Sequence, residues 1–124
     1  MSQAKGFNDV RQHARFELLE YAVITEPQTG NSTRSIVIDV SLGGLQVRSK
    51  HEFAPNETFL LNIGRGDSDP IAIEAESRYC VAIEGSDLFA TGFRCIPTTT
   101  AQRMQWVEYV HSIFQMQGEH LVGG

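Results

Sequence analysis

The 124-residue chain has little cysteine (two), one tryptophan, four prolines and no apolar run near the ~20 residues a membrane-spanning helix requires. Cys80 and Cys95 stand fifteen residues apart, with no Cys-x-x-Cys pair and no companion histidine spacing. That argues against zinc and leaves them as buried or half-buried thiols. His13, His51, His111 and His120 form no His-Glu-x-x-His motif, and Ser41 lacks the Gly-x-Ser-x-Gly elbow that exposes a nucleophile. Asp39 and Ser41 would serve as base and nucleophile only if a histidine approached them in space. The reading is therefore a protein that is no enzyme and carries no metal or cofactor. The start, Met1-Ser2-Gln3-Ala4-Lys5, lacks the apolar stretch of a signal peptide, so a cytoplasmic location is expected. An excess of positive charge is also missing: the net charge is -5, which disfavours nucleic acids and anionic membranes as partners. The length fits one domain.

What the chain does have is an uneven distribution of charge. Lys5, Arg11 and Arg15 face only Asp9 within residues 1–15, so a cationic arm precedes an acidic body. That pairing suits a small dianion better than a polyanion. Arg11-x-x-x-Arg15 places two guanidiniums a few residues apart, each suited to forked contacts with phosphate or with the O6/N7 edge of guanine. Such a pair also fits a solvated helix face. Asp39-x-Ser41-x-x-Gly44 adds a carboxylate acceptor for guanine N–H groups, a small hydroxyl, and a glycine that admits close backbone approach. It reads equally as a strand end entering an Asx or Ser turn, with Gly44 at positive φ.

Hydrophobic period places these motifs. Residues 16–26 and Thr33–Val40 read as strands rich in aromatic and β-branched residues, with a bulge expected near Leu18-Leu19. Leu45 and Val47, then Phe59, Leu61 and Ile63, alternate with polar or exposed positions as half-buried strands do. Gly64 to Pro70 is a loop by composition; it contains Arg65-Gly66-Asp67, read as turn chemistry rather than a recognition tripeptide. Ile71–Val81 and Leu88–Cys95 complete six short strands, a barrel or sandwich pattern. From Thr99 the period changes: Thr99-x-x-Gln102 is a capping box, followed by Trp106, Val107, Val110, Ile113 and Phe114 on one helical stripe. The stripe is expected to pack on the barrel, with Met104 and Trp106 as candidate anchors should it instead bind a partner. The domain reading is an arm over 1–15, a barrel over 16–97, a helix over 98–117 and a mobile tail over 118–124.

The two motifs, in this order with a strand between them, resemble the PilZ domain, a receptor module for the bacterial second messenger cyclic di-GMP. The likeness extends through Leu42-Gly43-Gly44-Leu45-Gln46-Val47, Ile73-Glu74-Ala75-Glu76 with Arg78-Tyr79, and Thr91-Gly92-Phe93-Arg94-Cys95. Cys95 stands where the family usually has phenylalanine, and Ser77 where it tends to be aliphatic. The resemblance implies a six-stranded antiparallel β-barrel with a C-terminal helix, preceded by a flexible arm. It implies cyclic di-GMP as ligand, held by Arg11, Arg15, Asp39, Ser41, Gly43 and Gly44. Arg78 and Tyr79 are further candidates; because neighbours on a strand point to opposite faces, only one of them is expected to face the ligand. His13 is a candidate contact or a solvated side chain. Val10, apolar where a basic residue favours an intercalated nucleotide pair, implies one nucleotide per site. The expected output is an ordered arm that signals to a downstream protein target, from a monomer rather than a dimer. The alternative implied is a barrel of the same family that binds no nucleotide and serves as a protein-interaction module.

Overall fold

A computed structural model describes residues 20–65 and 68–123. Six strands, β1 (Glu20–Thr25), β2 (Ser32–Ser41), β3 (Gly44–Ser49), β4 (Thr58–Arg65), β5 (Ser68–Ala82) and β6 (Phe89–Ile96), precede a helix α1 (Thr100–Gly123). The strands close a barrel in the order β1-β2-β3-β6-β5-β4, every pairing antiparallel. Closure pairs each of these six strands on both sides.

Alternation explains the interior. Ala22, Ile24, Val37, Val47, Leu61, Ile63, Ile71, Ile73 and Ala75 point inward and are almost wholly buried. Phe53, from the connection after β3, meets Phe59 and Phe93 edge-on at 5.3 and 5.6 Å, a favoured aromatic geometry. Cys95 packs in this core, and burial pushes its thiol up to about 12. Ser77 is fully buried because its hydroxyl is used: it donates to Ala54 O at 2.6 Å and accepts from Glu57 N at 3.1 Å. It thereby fixes the turn before β4, where Asn56 takes a positive φ of 63°.

Thr99 caps α1, its hydroxyl accepting from Gln102 N at 3.1 Å, but Gln102 reaches back to Thr98 N and Thr98 Oγ1 rather than to Thr99 N. Trp106, Tyr109, Val110 and Ile113 are buried on the barrel, whereas Met104, Val107 and Phe114 are exposed. The packed stripe thus differs from the expected one: Tyr109 replaces Val107 and Phe114, because the buried face follows 106, 109, 110 and 113. Trp106 is an internal anchor, its Nε1 donating to Leu42 O at 2.9 Å. The helix runs to Gly123, through residues expected to form a tail. Gly64–Pro70 is not a long loop: β4 continues to Arg65 and β5 starts at Ser68, and these two residues pair with each other. Residues 16–19, with the bulge expected at Leu18-Leu19, lie outside the described residues.

Candidate functional site

Two bulges build the site. On β2, Ser35 and Val37 face inward, but Val40 does so three residues later, and the register against β3 shifts between Val37 and Asp39. On β5, inward Ile71, Ile73, Ala75 and Ser77 give way to a register shift between Ser77 and Tyr79. An extra residue reverses the parity of everything after it. Arg78 and Tyr79 therefore both face outward, and both line one open concavity of about 350 Å³. The premise that these two neighbours point to opposite faces of the strand fails for this reason.

The concavity gathers Asp39, Ser41, Gly43 and Gly44 from the β2–β3 turn, and Arg78 and Tyr79 from β5. Asp39 lies opposite Gln46, and Ser41 opposite Gly44, so Leu42-Gly43 forms a two-residue connection. The Ser41 hydroxyl donates to Gly44 O at 3.4 Å, and Cys95 N donates to Gly43 O at 3.0 Å. Neither glycine has a positive φ. Gly44 is required by proximity instead: a Cβ there would lie 1.9 Å from Phe93 O on β6. At Gly43 the nearest atom to a Cβ is 4.0 Å away, so no contact demands glycine.

Gln46, Gly92 and Arg94 also line the concavity, with outward side chains or backbone beyond the candidate contacts read from the sequence. The Tyr79 ring lies over Gly92, where a Cβ would meet ring carbons at 2.2 and 2.5 Å, and Gln46 Nε2 donates to the Tyr79 hydroxyl at 2.8 Å. Glycine on β6 thus makes room for an aromatic platform, tethered at its phenol and 43 % exposed. Arg94 and Arg78 both donate to Glu76 Oε1, at 3.2 and 3.1 Å. The Arg94 and then the Arg78 hydrogen bonds hold the Glu76 carboxyl below its ordinary range. One carboxylate consequently orients two guanidiniums beside the platform. The signal for Gln46, Gly92 and Arg94 was alternation itself, since each stands on the outward parity of its strand.

Chemically the concavity offers a carboxylate acceptor, a hydroxyl, a flat aromatic face and two oriented guanidiniums. That set suits a planar heterocycle bearing N–H donors and an attached anion. Val10, Arg11, His13 and Arg15 lie outside the described residues. Among the described residues no group of three His, Cys, Asp or Glu side chains converges as metal ligands would, and no helix is long and apolar enough to cross a membrane. His51 stacks edge-on against Phe53 and does not line the concavity.

Comparison with known proteins agrees with the architecture. The family model described as PilZ domain matches residues 9–112. No curated protein matches the chain in sequence. Among solved structures, the PilZ domain of YcgR from Escherichia coli with c-di-GMP superposes with a TM-score of 0.65 at 15% identity, covering 84% of this chain and 88% of that one. YcgR from Escherichia coli in complex with c-di-GMP gives a TM-score of 0.66 at 14% identity, covering 82% of this chain and 44% of that one. At such identity the likeness is one of fold.

Proposed function

The chain belongs to the PilZ domain family, and we propose that it is a cyclic di-GMP receptor whose nucleotide lies on the β2–β3 turn. The observation that carries this reading is the concavity in which Asp39, Ser41 and Gly44 meet Tyr79, Arg78 and Arg94. Asp39 accepts hydrogen bonds from guanine N1–H and its amino group, the purine lies across the low turn at Gly43-Gly44, and Tyr79 supports a base by stacking. Arg11 and Arg15 close over the ligand from the arm, bridging phosphates and forking onto a guanine Hoogsteen edge. Arg78 and Arg94 supply further positive charge, exchanging part of their contact with Glu76 for phosphate. Val10 ahead of the clamp favours one nucleotide per site.

Binding, not turnover, is the activity. Ordering of the arm over the filled site carries the signal to a protein partner, from a monomer in the bacterial cytoplasm. A thermal-shift titration tests this. Ligand present at 100 times its Kd stabilises the folded state by about 2.7 kcal/mol, so cyclic di-GMP should raise Tm clearly while GTP does not. No shift would favour a PilZ barrel that serves only as a protein-interaction module. Steady release of linear dinucleotide would overturn the receptor reading.

A further inference from the structure

A second concavity of about 510 Å³ opens on the outer barrel wall, lined by residues including Arg34, Ile36, Arg48, Lys50, His51 and Leu88. None of its lining residues is acidic, although the chain as a whole is at -5. Arg34 and Arg48 have no carboxylate partner among the described residues. Arg34 is nonetheless held, its guanidinium carbon 4.9 Å from the centroid of the Tyr21 ring, a cation–π distance. Lys50 meets Asp87 at 3.5 Å, but both side chains are more than 70 % exposed, so the pair is weak and exchangeable. Beside these cations, Ile36 is 40 % exposed and Tyr21, even with Arg34 over its ring, 50 %. Exposed apolar side chains beside two arginines without a carboxylate partner among the described residues and a weakly paired lysine are the composition of a surface that meets an acidic, partly apolar partner.

We propose that this concavity docks an acidic segment of a partner protein, its carboxylates on Arg34, Arg48 and Lys50 and an apolar side chain against Ile36. Each strand of the closed barrel is paired on both sides, so recognition runs through side chains rather than added strand pairing. The position also suits an output. Arg48 follows Gln46 on the outward row of β3, and Ile36 precedes the β2 bulge that sets Asp39, so the same two strands floor both concavities.

The test is fluorescence anisotropy at low ionic strength, on the full chain without nucleotide, so its failure leaves the nucleotide reading untouched. The probes are a labelled hexapeptide of four glutamates and two leucines, its counterpart with lysine for glutamate, and phosphatidylserine-containing vesicles. The acidic peptide should bind and the lysine peptide should not. Arg34→Glu with Arg48→Glu should weaken binding at least about tenfold, and added salt should weaken it further. Arg48→Ala with Lys50→Ala, which leaves the Arg34–Tyr21 contact in place, should weaken it in the same direction with an unchanged Tm. No binding of the acidic peptide, equal binding of the lysine peptide, affinity unchanged in both variants, or binding to vesicles alone overturns the proposal.

Discussion

Replacing Gly44 by alanine and Gly43 by alanine separates two adjacent glycines that a motif treats alike. A Cβ at position 44 would stand 1.9 Å from Phe93 O, 2.9 Å from Phe93 C and 3.1 Å from Arg94 Cα, all backbone atoms that no rotamer change removes. Reaching an ordinary contact of 3.4 Å requires β3 and β6 to part by some 1.5 Å at their Gly44–Arg94 pairing. That movement also strains the 3.0 Å bond from Cys95 N to Gly43 O. Overpacking of this kind costs about 1–3 kcal/mol, and a weakened ladder bond adds about 0.5–1.5 kcal/mol. The helix propagates the loss, because Trp106 is bonded to Leu42 in the same turn. Gly44→Ala should therefore destabilise the fold by about 2–4 kcal/mol. Gly43→Ala, whose Cβ meets nothing nearer than 4.0 Å, should stay within about 0.5 kcal/mol of wild type. Urea unfolding followed by circular dichroism, with a common m-value, reads both. Equal stability losses at the two positions, or a Gly44→Ala loss below about 0.5 kcal/mol, would refute the close-approach argument.

Four further outcomes follow from individual contacts. Trp106→Phe keeps most of the apolar volume and removes the donor to Leu42 O, so urea unfolding should show a loss of about 0.5–1.5 kcal/mol plus a small packing term. Ser77→Ala leaves Glu57 N and Ala54 O without their buried partner and should cost about 1–3 kcal/mol in the same assay. The Cys95 thiol, pushed up to about 12, should resist iodoacetamide at pH 8 in the folded protein and react on unfolding, as mass spectrometry would show. Glu76 has a folded-state pKa below 4.5, so its contribution to stability is present above that value and is lost as pH falls through the lower folded value. An NMR titration should place its midpoint below 4.5 in wild type and return it towards 4.5 when Arg94 and Arg78 are both alanine.

The barrel was legible because its strands alternate cleanly: Phe59, Leu61 and Ile63, or Leu45 and Val47, announce their inward faces without tertiary help. The helix was legible from Thr99 and Gln102 and from a changed period, though its stripe was drawn through Val107 and Phe114 when the barrel wall required Tyr109. The turn at Asp39–Gly44 was found as a motif, but the reason for Gly44 was not. A positive φ is a local property that composition suggests, whereas an oncoming carbonyl from β6 belongs to the partner strand. Arg78 and Tyr79 show the same limit. Strict alternation separates them, and only the switch of apolar parity from Ala75 to Cys80 hints that a bulge unites them. The Tyr79–Gly92–Gln46 platform joins three strands: alternation turns Gln46 and Gly92 outward, but nothing within one strand shows that they meet Tyr79.

The most direct test of the receptor reading is calorimetric titration of cyclic di-GMP into wild type, Asp39→Ala, Arg11→Ala and Arg15→Ala. Wild type should take one nucleotide per chain and each variant should bind about 5- to 150-fold more weakly, since one forked arginine or carboxylate contact is worth roughly 1–3 kcal/mol. No heat with wild type, or affinities within about twofold across the series, would contradict the receptor reading.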